Sequence, residues 1–180
     1  MTQTKSKIRS MVLISLAAAI LCIFAPIAFP IAFSPVPITL GTFAIYICCA
    51  VLGAKKGALS VVIYIALGAI GLPVFSGFHG GFEKITGPTG GFIIGFLFCG
   101  FLTGLVADLF ENKIYCYAIG MILGTILCYS FGTVWLMYQN HLNLLPALGA
   151  AVLPFLPGDA AKIVFATLIA YPVRHAVQKI

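Results

Sequence analysis

Apolar residues run along this chain in six long stretches, at about 11–33, 38–52, 57–72, 90–110, 114–138 and 144–173, separated by short segments rich in Gly, Pro, Lys and Thr. Most are long enough, or nearly so, for a bilayer hydrocarbon core of roughly 30 Å. The pattern predicts six transmembrane helices in an all-α integral membrane protein. The first stretch is long, has no small-x-small cleavage site behind it and is followed by five more of its kind, so it reads as a span and not as a cleaved signal peptide. Connecting segments do not exceed about 17 residues and none is low-complexity, so 1–180 reads as a single membrane-embedded domain.

Proline and glycine mark where regular helix fails. Pro26 and Pro30 interrupt the first stretch near its outer end, and Ser34-Pro35-Val36-Pro37 reads as a tight extended turn into the second. Between spans three and four runs "LPVFSGFHGGFEKITGPTGG", residues 72–91, with six glycines and the polar residues Ser76, His79, Glu83, Lys84, Thr86 and Thr89. Non-helical backbone at membrane depth survives only where it is buried in protein or lines a cavity, and its bare N–H groups can then bind a ligand.

Composition agrees with a lipid-embedded chain. Hydrophobic residues make up 62% and charged ones only 8%, against about a quarter charged in an ordinary soluble domain. The few basic residues fix an orientation. Lys5, Lys7 and Arg9 precede span one, Lys55 and Lys56 lie between two and three, Lys113 between four and five, and Arg174 and Lys179 after six. Only Lys84 sits in a loop on the other side, so the positive-inside rule places both termini in the cytoplasm. The net charge of +6 is therefore a topology signal and no sign of a nucleic-acid partner. The six cysteines lie inside apolar runs with no C-x-x-C pair, and read as small core residues rather than metal ligands. No phosphate-binding loop, serine elbow, H-E-x-x-H or carboxylate pair is present, so the chain has no catalytic constellation and cannot hydrolyse ATP by itself.

One polar pair stands out against this background. "PGDAAK", residues 157–162, puts Asp159 and Lys162 three positions apart, on one helical face. Counting back from Arg174 at 1.5 Å per residue places Asp159 roughly 22 Å deep, inside the apolar slab. Pro146, Pro154 and Pro157 break the stretch before it, so the sixth span reads as a discontinuous helix whose regular part begins at Pro157-Gly158, with its positive end near Asp159. A charge at that depth costs about 2.5–3.5 kcal/mol, so both side chains should face the bundle interior. A helix cap neutralised by lysine would explain the pair, but Ser or Asn would cap at lower cost. A recognition site would also explain it, with Asp159 accepting N–H donors, Lys162 donating, and apolar walls around a small ligand. A proton relay would need ionisable groups across the inner half, which has none.

"SPVPITL" at 34–40, "GALSVVIYIALGAIGLPVF" at 57–75, "GPTGGF" at 87–92 and "PGDAAK" together resemble, in order and spacing, the BioY family, the membrane-embedded biotin-binding S components of energy-coupling-factor transporters. The likeness covers nearly the whole chain. It implies a six-helix bundle in the cell membrane that captures biotin from outside, is not an enzyme, carries no cofactor or metal, and docks on a transmembrane coupling subunit whose two ATPase partners alone hydrolyse ATP. The family's acid and lysine match Asp159 and Lys162, and its closing loop matches residues 73–89.

Biotin's ureido ring offers two N–H donors and one acceptor, its thioether ring and valeryl chain are apolar, and its carboxylate wants a cation or N–H groups. On this reading Asp159 takes a ureido N–H, while Lys162 either serves the ureido oxygen or neutralises Asp159. Ser76, Gly77, Gly80, Thr89, Gly90 and Gly91 are candidates for the carboxylate, with His79 as a further donor. Phe33, Phe75, Phe78, Phe92 and Tyr64 could wall the apolar part. The chain departs from the family at Gly41, where glutamine is common, at His79, often asparagine or a small residue, and at Phe92, commonly tyrosine. For the partner, Ser15 with Ala19 and Ala18 with Cys22 in "SLAAAILC" supply small residues four apart on the first helix. A self-sufficient transporter of a vitamin-like solute and a structural membrane protein are the alternatives.

Overall fold

The computed structural model describes residues 2–31, 34–110 and 113–179. Helix α1, Thr2–Phe24, starts well before the first apolar stretch and ends well before its close. Lys and Arg are good helix formers, so the basic residues join the helix instead of preceding it. At the other end Pro26 stops it, and the chain turns into a small antiparallel hairpin of β1, Ala28–Ile31, and β2, Ser34–Thr39. The expected extended turn at 34–37 is thus one strand of a ribbon, and the all-α expectation gives way to a mostly helical chain with one hairpin. Ala28 pairs with Thr39 and Phe29 with Ile38, and the register shifts between Phe29 and Ile31. Pro30, with no N–H to give to the ladder, sits at that break.

Two short helices follow, α2, Gly41–Leu52, and α3, Ala54–Ala69. Among the described residues, four helices are long and apolar enough to cross a membrane: α1, α5 (Gly90–Leu109), α6 (Ile114–Asn140) and the last helix, Leu156–Lys179. Helices α2 and α3, with 12 and 16 residues, match the second and third apolar stretches but are shorter than these four. Between α3 and α5 lies one turn of helix, α4, Phe82–Thr86. The sixth stretch divides as its prolines predict, into α7, Leu144–Ala151, and α8, Leu156–Lys179, with Pro154 in the break and Pro157 in the first turn of α8, where a missing N–H costs nothing.

Helices α5 and α6 pack closely because glycines let their backbones meet. A Cβ on Gly95 would lie 3.0 Å from Cys128 Cα, and one on Gly124 would lie 2.8 Å from Cys99 O. The core around them holds Tyr46, Tyr64, Tyr117, Phe75, Leu21 and Met121, all essentially without solvent exposure. Tyr46 Oη meets its polar need by sharing a 2.5 Å hydrogen bond with Thr125 Oγ1, which donates in turn to Met121 O at 2.7 Å.

One end of the bundle is tied by a second ion pair, in which Arg174 is buried and Asp108 is exposed. Arg174 of α8 donates to Asp108 Oδ1 of α5 at 2.6 Å and to Ala50 O of α2 at 2.7 Å, while Asp108 Oδ2 accepts from Ala54 N at the start of α3 at 2.8 Å. Gly53 turns this corner at φ +81°, and a Cβ there would sit 2.3 Å from Asp108 Oδ1. Arg9 of α1 donates to Val177 O of α8. These contacts bring both chain termini, Lys55 and Lys56 to the same end. The hairpin, the loop before α5 and the α7–α8 break lie away from it.

Candidate functional site

The polar centre of the bundle forms where four elements converge. Asp159 lies in the first turn of α8 and is 5% exposed. Its Oδ1 accepts from Lys162 Nζ at 2.7 Å, and its Oδ2 accepts from Tyr129 Oη of α6 at 2.6 Å. Lys162 also donates to Thr39 O at the end of β2, at 2.7 Å, and to Thr42 Oγ1 at the start of α2, at 3.2 Å. An ammonium has three N–H bonds, and these three partners use all of them. Thr42 Oγ1 also donates to Asp159 Oδ1, at 3.5 Å, and since a carboxylate has about four acceptor positions Asp159 keeps capacity for a further N–H donor.

These groups form one wall of a cavity with about 640 Å³ free of protein atoms, part of it open at the mouth. The remaining walls are mostly apolar, with Phe75, Phe92, Ile93, Phe96, Phe155 and Tyr64 prominent. Phe75 is fixed from both sides: its ring meets Tyr64 edge-on at 5.7 Å and 87°, and it fills the space a side chain at Gly68 would occupy. Its backbone N donates to His79 O at 2.9 Å, closing a tight turn over 75–79. Gly77 N donates to Pro26 O at 3.0 Å and Gly81 N to Gly68 O at 2.7 Å, so the loop is laced to the corner after α1 and to the end of α3. Gly77 takes φ +74° in that turn, a conformation glycine reaches without strain.

The structure brings together Asp159, Lys162, Ser76, Thr89 and Phe92 at the cavity, with the expected wall residues Tyr64 and Phe75. The other candidates lie elsewhere. Gly91 packs against α6, where a Cβ would be 2.3 Å from Trp135 Cβ, and Gly90 packs against the carbonyl of Ile85 in α4, so both positions need a small residue for these contacts. Gly77 and Gly80 shape the turn, and a Cβ on Gly80 would strike Leu72 O. His79 is exposed and lies 3.2 Å from Ser76 O through Nδ1. Phe78 points outward, 68% exposed, and Phe33 lies outside the described residues. On α1, Ser15 and Ala19 are exposed, but Ala18 is buried and Cys22 packs against the core, because residues three or four apart on a helix still differ by tens of degrees in direction. Ala18 and Cys22 therefore do not belong to an outward docking face.

Sequence reasoning missed Tyr129, Thr39 and Thr42. Tyr129 carried one signal, since a phenol inside an apolar span needs a polar partner. Thr39 acts through its carbonyl, which every residue has, so nothing in its side chain announces the role. Among the described residues, no three His, Cys, Asp or Glu side chains gather as a metal site would require.

Comparison with known proteins extends these observations. The BioY family model matches residues 1–179. The chain is 36% identical over 162 residues to the biotin transporter BioY of Thermotoga maritima, covering 90% of this chain and 94% of that protein. It is 38% identical over 175 residues to the biotin transporter BioY of Rhodobacter capsulatus, covering 90% and 91%. In three dimensions it matches a crystal structure of the S-component for biotin from an ECF-type ABC transporter with a TM-score of 0.88 and 32% identity, over 95% of this chain and 93% of that one. With a family model spanning almost every residue, two curated relatives above 30% identity and a backbone shared along nearly its full length, the chain belongs to the BioY family, whose members are membrane transport proteins and not enzymes.

Proposed function

We propose that this chain captures biotin at the outer face of the cell membrane and serves as the substrate-binding subunit of an energy-coupling-factor transporter. The observation that carries the reading is the buried carboxylate of Asp159, held by Tyr129 and Lys162 with acceptor capacity to spare, at the wall of a mostly apolar cavity. A cyclic urea suits that wall: one of its N–H groups bonds Asp159, and the thioether ring and valeryl chain lie on the aromatic residues. Lys162, with its three donors engaged, acts chiefly to neutralise Asp159. Ser76 and Thr89, at the loop side of the cavity, would serve the carboxylate.

In this reading α1, α2, α3, α5, α6 and the broken pair α7–α8 are six spans of one domain, α2 and α3 being short ones. The end that gathers the basic residues faces the cytoplasm, with both termini. The loop over the cavity then faces outward, where ligand arrives. Ser15 and Ala19, on the exposed side of α1, offer a close-packing face for a transmembrane coupling subunit. Two ATPase subunits attached to that partner would supply the energy, since this chain carries no phosphate-binding loop. Radiolabelled biotin binding to the purified protein, with a panel of other vitamins as competitors, tests the assignment. Saturable binding displaced only by biotin-like ureas supports it, and displacement by an unrelated vitamin removes it.

A further inference from the structure

A second cavity lies at the end of the bundle that holds the termini, far from the Asp159 site. It has about 700 Å³ free of protein atoms and lies between the first turns of α1, the α2–α3 corner and the last turns of α8. Ser6, Arg9, Ser10, Lys56, Arg174 and Gln178 supply its polar lining, and among the described residues no carboxylate lines it. The three cations differ in their circumstances. Arg174 is neutralised by Asp108. Arg9 is held by the carbonyl of Val177, which orients the guanidinium without cancelling its charge. Lys56 is exposed, and among the described residues neither it nor Arg9 takes part in an ion pair. Ser6 and Ser10 stand one helical turn apart beside Arg9, with hydroxyls that can donate to an oxyanion.

We propose that this cavity binds the phosphate headgroup of an anionic phospholipid. Two positive charges in excess, two hydroxyls and a half-open volume fit a phosphodiester, and basic pockets between transmembrane helices at the headgroup level are where such groups bind. Free inorganic phosphate has the same oxyanion chemistry. The lipid is favoured by what borders the site: Leu13, Val51 and Leu52 wall its apolar side. Beside it Ile8, Met11 and Val12 of α1 are 56%, 67% and 59% exposed, a surface along which acyl chains can lie while the headgroup enters. The proposal requires only that this end of the bundle lie at a membrane surface and does not depend on which ligand the Asp159 site takes.

The test is native mass spectrometry of the full chain in detergent, incubated with equimolar phosphatidylglycerol and phosphatidylcholine. Phosphatidylglycerol adducts should dominate. Arg9→Gln and Lys56→Gln should each lower that preference about fivefold. A Lys5→Gln/Lys7→Gln variant, which loses charge from the same end but outside the cavity, should keep it. Lys56→Gln alters only an exposed side chain, so its result stands even if Arg9→Gln loosens α1 from α8. An unchanged preference in both single variants, or an equal loss in the Lys5/Lys7 variant, overturns the proposal. Inorganic phosphate that binds the lipid-free protein and displaces phosphatidylglycerol at millimolar concentration would assign the site to the free ion instead.

Discussion

Tyr129 of α6 donates its phenolic hydrogen to Asp159 of α8 at 2.6 Å, across a cavity wall whose other polar contacts come from β2 and α2. The bond fixes the carboxylate plane before any ligand arrives. A hydrogen bond to a charged group contributes about 1.5–3 kcal/mol. Tyr129→Phe should therefore weaken biotin binding by about tenfold while the protein still folds. Asp159→Asn, which also removes the negative acceptor, should weaken it further. Equilibrium binding by tryptophan fluorescence or radiolabel checks both, and unchanged affinity in the two variants would remove the site.

Lys162 is expected to act differently, through Asp159. Removing it by Lys162→Met leaves a buried carboxylate without its cation, which costs about 3–5 kcal/mol where the charge is fully desolvated. The single variant should lose thermal stability as well as affinity. The double variant Asp159→Asn/Lys162→Met should regain stability, since no lone charge remains, but not affinity. A double variant as unstable as the single one would show that Lys162 stabilises the fold by other means.

The loop and helix glycines should separate by role. Gly91→Leu must push α5 from α6 at Trp135, and is expected to lower the melting temperature in detergent by several degrees. Gly158 has open space around the position of a Cβ and lies in the first turn of α8, so Gly158→Ala should be neutral or stabilising by up to about 1 kcal/mol. Gly77→Ala places a side chain at φ +74° in the turn over the cavity and should slow ligand capture with little change in helix content. A normal association rate in stopped-flow binding would contradict this last expectation.

Energy coupling gives a prediction at the level of the whole membrane. The chain contains no phosphate-binding loop. Among the described residues, the ionisable groups in ion pairs form two separate clusters, at Asp159–Lys162 and Arg174–Asp108, rather than a chain across the membrane. Reconstituted alone in liposomes, the protein should bind biotin stoichiometrically without accumulating it. Uptake against a biotin gradient under a proton or sodium gradient, with no ATPase present, would replace the capture-subunit reading with a self-sufficient transporter.

Much was legible in the order of residues alone: a membrane chain, from composition and apolar run length; the break in the last span, from Pro154 and Pro157; the buried Asp159–Lys162 pair, from two charges in an apolar run. Each is a local or compositional property, readable because apolar slab, helix period and proline sterics act on neighbouring residues. What depends on contacts across the fold emerged only from packing. Apolarity could not separate helix from hairpin at 28–39, since apolar residues build both, and pairing between strands settled it. Glycine in the 72–91 segment signals an absent side chain but not which backbone needs the room, and only packing showed that Gly91 serves Trp135 while Gly77 serves a turn. Tyr129 lies 30 residues from Asp159 and Thr39 lies 123 from Lys162. No periodicity links positions so far apart, because the contacts between them exist only once α2, α6 and α8 have closed around one cavity.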